Sequence, residues 1–213
     1  MKLSTCLTFL VGLVAAAPSE LRATANDLVD AQGFYCPEAI LIFARGSAEQ
    51  GNMGTLVGPF LAQGLSTQVK SLWIQGIGGD YTAALEDNFL PEGTSPEAIV
   101  EAYKMFNFAH EKCPGSMVLA GGYSQGAALL AATIPTLVAP ARQQIKGAVL
   151  FGYTLNKRND GRIPEYPTDQ TKVFCNDGDV VCQGILEIKN PHLMYSAAAQ
   201  GEGAKFLAKK VSN

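Results

Sequence analysis

A serine framed by glycines, two histidines and a set of carboxylates are the side chains here that could do covalent chemistry. Gly122-Tyr123-Ser124-Gln125-Gly126 reads G-x-S-x-G, the spacing of a nucleophile elbow, in which the serine sits on a sharp strand-to-helix turn. Upstream, Ser116 to Gly121 is a short apolar run that suits a buried strand. Downstream, Ala127 to Ala132 is a run of good helix formers. Both flanks therefore supply the context that the motif needs. The Ser124 hydroxyl would stand clear above a sheet, and the Gln125 amide would open the helix, aimed at a developing oxyanion. The bland alternative is a serine that only caps a helix after a glycine-rich turn.

An elbow serine is inert without a base. His110 lies upstream within a predicted helix, where it suits an exposed position near the C-terminus. His192 lies downstream, in the Pro-marked loop Asn190-Pro191-His192-Leu193. The order serine, acid, histidine of the α/β hydrolases selects His192. Between Ser124 and His192 stand Asp160, Glu165, Asp169, Asp177, Asp179 and Glu187. Asp177 and Asp179 directly follow the last predicted strand. Asp177-Gly178 has turn chemistry, so the spacing favours Asp179 one step beyond it and leaves Asp177 open.

These side chains need a scaffold, and strands alternating with helices provide it. Apolar runs predict strands at Ala39–Ala44, Val69–Ile77, Ser116–Gly121, Gly147–Gly152 and Thr171–Cys175. Helical spacing joins Met53, Leu56, Val57, Phe60, Leu61 and Leu65. Ser95-Pro96-Glu97 starts a helix to about His110 that should bury Ile99, Tyr103 and Phe106, and a last helix covers Ala204–Val211. The pattern argues a parallel α/β sheet of about five strands flanked by helices, in one domain from residue 32 to 213.

Residues 1–17 read as a secretory signal, with Lys2, an apolar run from Leu3 to Val14, and Ala15-Ala16-Ala17 before Pro18. Residues 18–31 are expected to be a pro-segment or flexible arm. The chain of 213 residues carries a formal charge of −3, which becomes −4 once Lys2 is removed. It has no basic cluster, so nucleic acid is not an expected partner. No segment has the length and apolarity of a transmembrane helix. Outside the signal, Cys36, Cys113, Cys175 and Cys182 remain, an even number for an oxidising compartment. Cys36 and Cys113 both precede strands, whereas Cys175 follows one. Crossing five strand residues spans about 16 Å, and a disulfide holds its Cα atoms within about 7 Å. The expected pairs are Cys36–Cys113 and Cys175–Cys182.

Arg45-Gly46-Ser47 with Gly51-Asn52, the elbow, the Cys175–Cys182 block with Asp179, and Pro191-His192-Leu193 together resemble the cutinase family of secreted fungal esterases. The similarity runs from about Cys36 to Val211. It implies a three-layer, lidless α/β hydrolase acting on carboxylic esters, most directly cutin polyester and soluble short-to-medium acyl esters. It also implies the triad Ser124, Asp179 and His192, and an oxyanion hole at Ser47 and Gln125. The same resemblance places a substrate rim on loops 78–90 and 184–190, with Tyr81, Leu85, Ile185, Leu186 and Ile188 as its contacts. No metal or organic cofactor is expected, and the protein should act as a secreted monomer. The competing readings are an acetylxylan esterase on the same fold and a catalytically silent secreted elicitor.

Overall fold

The computed structural model describes residues 21–212. The signal reading of residues 1–17 lies outside them. Five strands, β1 (Ala39–Ala44), β2 (Leu72–Gly76), β3 (Met117–Tyr123), β4 (Ile145–Phe151) and β5 (Thr171–Phe174), form one parallel sheet in the order β2-β1-β3-β4-β5. The helices are α1 (Asp27–Asp30), α2 (Gly58–Ser66), α3 (Pro96–Lys112), α4 (Gln125–Thr133), α5 (Ala139–Gln144), α6 (Ser196–Ala198) and α7 (Ala204–Val211).

Period-two alternation divides the core between the two faces of the sheet. From β1, Ile40, Ile42 and Ala44 join Ala102, Phe106 and Leu129 on the face covered by α3 and α4. Ala39, Leu41 and Phe43 join Leu61, Leu65 and Leu207 on the face covered by α2 and α7. A strand buried on both faces has to be apolar throughout, as Ala39–Ala44 is.

The structure moves several predicted boundaries. The stretch from Met53 is not helical until Gly58, because Glu49 ties up a turn first. Its carboxylate accepts from the amides of Gly46, Thr55 and Leu56, and Gly51 and Gly54 take positive φ. Strand β2 begins at Leu72 rather than Val69, whose amide still closes the end of α2 on the Leu65 carbonyl. In α3 the fully buried stripe is Ala98, Ala102, Phe106 and Ala109, while Ile99 and Tyr103 are only partly covered. Three of these four are alanines, which let α3 lie close to α4 around Phe106, while Ile99 and Tyr103 stay at the margin.

Within the stretch 18–31, the chain from Ala23 onward packs against the rest of the domain. The Ala23 carbonyl accepts from Met53, the Ala25 carbonyl from Gly76, and the Asp27 carboxylate from the amide of Ile74. Leu28 is fully buried. This segment covers the exposed edge of β2, which would otherwise present unpaired backbone groups. Both expected disulfides are present, Cys36–Cys113 with Cα atoms 5.6 Å apart and Cys175–Cys182 with Cα atoms 6.2 Å apart.

Candidate active site

Strand order reverses direction between β1 and β3: β2 lies on one side of β1, and the chain then returns to build β3, β4 and β5 on the other. Loops leaving β1 and β3 therefore diverge at the carboxyl edge and open a crevice, the usual ligand position in such sheets. Ser47 follows β1, and Ser124 follows β3 directly.

Ser124 takes φ 54° and ψ −119°, a conformation costly for any residue but glycine. Close packing fixes it there. Its amide donates to the Phe151 carbonyl at 2.8 Å. A Cβ on Gly126 would lie 2.1 Å from the Ala44 carbonyl oxygen, and one on Gly122 would lie 2.6 Å from that of Gly126. The two glycines of the motif thus let β3, α4 and β1 meet without side chains between them.

From this turn the Ser124 Oγ lies 3.0 Å from His192 Nε2, and His192 Nδ1 lies 2.9 Å from Asp179 Oδ2. His192 is 2% exposed and Asp179 4%. The imidazole is held from several sides. Its amide donates to the Lys189 carbonyl, its own carbonyl accepts from the Tyr123 hydroxyl at 2.8 Å, and its ring lies 5.2 Å from that of Tyr123. The second oxygen of Asp179, Oδ1, accepts from the Val181 amide at 3.0 Å. Asp177 is exposed in the turn before it. The geometry therefore brings Asp179, and not Asp177, to the imidazole. His110 is remote, on α3, where its Nδ1 meets Gln144 Oε1.

Gln125 is the first residue of α4, so its amide is one of the helix-start donors that has no partner within the helix. Its side chain donates to the Ala84 carbonyl at 2.6 Å, which links the elbow to the loop of the first rim. The hydroxyl of Ser47 accepts from Asn88 Nδ2 at 2.8 Å. Beneath Ser47, Arg45 is buried and donates to the carbonyls of Glu49, Ile77 and Thr82.

An apolar cleft of roughly 230 Å³ opens over Ser124, lined among others by Leu85, Phe89, Leu186, Ile188 and Leu193. Leu85, Leu186 and Ile188 thus lie where a substrate rim was expected. Ile185 is exposed beside the cleft but does not line it. Tyr81 requires a correction: it is 1% exposed, and its hydroxyl donates to the Arg45 carbonyl at 2.7 Å. It supports the loop that carries Ser47 from beneath. Asn88, Phe89 and Leu193 were not singled out as cleft contacts in the sequence, because they sit in the short 3₁₀ turns Leu85–Phe89 and Asn190–Leu193, too brief to show a periodic pattern.

The family model for cutinase matches residues 35–211. The chain belongs to the cutinase family. It is 48% identical to a cutinase of Fusarium solani subsp. cucurbitae over 99% of this chain and 97% of that one. It is 52% identical to cutinase 1 of Fusarium vanettenii over 89% of this chain and 83% of that one. Among solved structures, a Trichoderma reesei cutinase bound to a C11Y4 phosphonate inhibitor superposes with a TM-score of 0.77 at 30% identity, covering 91% and 82% of the two chains. The catalytic core of an acetyl xylan esterase from Trichoderma reesei shares the fold, with a TM-score of 0.60 at 19% identity over 83% of this chain and all of that one. Membership of the cutinase family makes this protein a serine ester hydrolase. Among the described residues no helix is long and apolar enough to cross a membrane.

Proposed function

We propose that the protein is a secreted, monomeric esterase that cleaves cutin polyester and soluble short-to-medium acyl esters through an acyl-enzyme. The observation that carries this reading is the continuous line from Ser124 Oγ through His192 to Asp179, at 3.0 and 2.9 Å, with Ser124 and His192 lining an apolar cleft and Asp179 buried behind them. In this reading His192 Nε2 takes the Ser124 proton as Oγ attacks the ester carbonyl. Asp179 holds Nδ1–H, fixing the tautomer and stabilising the imidazolium. The amides of Ser47 and Gln125 stabilise the oxyanion, each contributing about 2.7–4 kcal/mol by analogy with other such donors. His192 then protonates the leaving alcohol, and water activated by the same nitrogen releases the acid. Two disulfides among the described residues agree with an oxidising destination, and the cleft's apolar walls suit an acyl chain.

The test is a comparison of turnover on p-nitrophenyl esters, cutin, triglyceride emulsion and acetylated xylan, with organophosphonate labelling located by mass. Labelling at Ser124 with acyl-ester and cutin hydrolysis supports the reading. Preference for acetylated xylan would replace the substrate assignment, and turnover without labelling at Ser124 would overturn Ser124 as the nucleophile.

A further inference from the structure

Asp179 Oδ2 accepts two hydrogen bonds, only one of them from the imidazole. The second comes from the Tyr195 hydroxyl at 2.6 Å. That hydroxyl also accepts from the Asn176 amide at 2.9 Å, so its single proton is directed to the carboxylate. The ring is fully buried and packs against Phe151 and Tyr123, with its plane at 89° to that of His192. The other buried tyrosines are satisfied differently. Tyr81, Tyr123 and Tyr166 donate to backbone carbonyls, and Tyr153 meets the Asn159 amide group. Among them Tyr195 alone donates to a carboxylate.

We propose that Tyr195 is a positioning residue of the catalytic machinery, whose hydroxyl locks the rotation of the Asp179 carboxylate and tempers the charge that this oxygen presents to His192. The inference rests on the reading of Ser124, His192 and Asp179 as a triad. Two donors on one oxygen share its charge, so each hydrogen bond limits the strength of the other. Burial, with the neighbouring carboxylate, pushes the Tyr195 phenol well above the ordinary tyrosine value, so it stays a donor across the working range. The ionisable groups that face this cluster are Asp179, His192 and Tyr123, with Glu49 acting on Tyr123. Removing the hydroxyl leaves more charge on Oδ2 and stabilises the imidazolium. The neutral base then appears only at higher pH.

The test is Tyr195→Phe, which keeps the ring and its packing, assayed on a soluble ester across pH. The expected result is a fall in kcat of about tenfold with KM nearly unchanged. The acid limb of kcat/KM should move upward by about half a pH unit. In an Asp179→Asn background, Tyr195→Phe should add no further loss of labelling rate by an organophosphonate. A wild-type rate and an unmoved limb would overturn the proposal, as would an equal loss in the Asp179→Asn background, which would indicate packing alone. If Asp179→Asn itself proved harmless, the triad reading would fail, and this proposal with it. Should Tyr195→Phe not fold, 3-fluorotyrosine at position 195 retains a stronger donor and should move the limb downward. No movement there would also overturn the idea.

Discussion

The strain at Ser124, of the order of 1–3 kcal/mol for such a backbone, is tolerable only because its neighbours leave no alternative path. The side chain is thereby aimed at His192 before any substrate arrives. Ser124→Ala and His192→Ala should each remove turnover while the protein stays folded, since the two act as one unit. Asp179→Asn should cost about 10⁴-fold in kcat through the wrong imidazole tautomer, whereas Asp177→Asn, in an exposed turn, should be mild. Steady-state rates on folded variants check this ranking, and a worse Asp177 variant would reverse the assignment of the acid. Gly152 offers a subtler test. It takes φ 54°, and a Cβ there would lie 2.7 Å from His192 Cε1. Gly152→Ala should therefore displace the imidazole and depress kcat at least about tenfold; full activity would show that the loop yields instead. The serine and histidine were legible in the sequence because motif and chain order restrict them to one choice each. The acid was legible from spacing as a pair of neighbours with Asp179 favoured, and the family resemblance singled out Asp179, since nothing local says which carboxylate turns inward. Tyr195 was not legible at all, because its role depends on a hydroxyl meeting a carboxylate 16 residues away through the fold.

Elements position these residues through the sheet order, and the two disulfides act on different parts of that arrangement. Cys36–Cys113 joins residues 77 apart and fastens the chain before β1 to the end of α3, far from the crevice. Cys175–Cys182 joins residues 7 apart and encloses Asp179. Loop-closure entropy makes the first worth about 4.5 kcal/mol and the second about 2.5 kcal/mol. The functional order should be the opposite. Replacing Cys36 and Cys113 by Ser should lower the melting temperature more, yet leave kcat of the folded protein nearly intact. Replacing Cys175 and Cys182 should cost less stability and more kcat. Melting curves and rates on both double variants decide it, and loss of activity strictly in step with stability in both would contradict this division. The alternation of strands and helices was legible because apolar runs and caps are local signals. The turn organised by Glu49 was not, because three backbone donors converging on one side chain leave no trace in periodicity.

Two properties belong to the whole molecule. The first is alkaline sensitivity. Five of the seven tyrosines, Tyr81, Tyr123, Tyr153, Tyr166 and Tyr195, are buried, and burial pushes every one upward, Tyr153 to about 12. Each phenol holds its proton more tightly folded than unfolded. That stabilisation is full below the ordinary value of about 10 and is lost as pH rises toward the folded values. The melting temperature should fall steeply above about pH 10, with tyrosinate absorbance appearing together with unfolding. Complete ionisation in a folded protein would contradict it. The second property is the surface around the cleft. Leu85, Phe89, Ile185, Leu186, Ile188, Leu193 and Met194 are exposed around or beside it, with Phe89 78% exposed, an apolar rim suited to a polyester. Glu187 and Lys189 interrupt that rim, and they pair with each other at 3.1 Å. In water such an exposed pair contributes little. Pressed against wax, both charges lose hydration that their mutual attraction does not fully restore. Replacing both by Ala should therefore raise adsorption to polyester film severalfold. Turnover of a soluble butyrate ester should stay nearly unchanged, because neither residue lines the cleft over Ser124. Depletion of enzyme from solution over polyester film, measured beside soluble-ester rates, separates the two effects. Unchanged adsorption would mean that the shape of the rim, rather than its charge, limits the enzyme at surfaces.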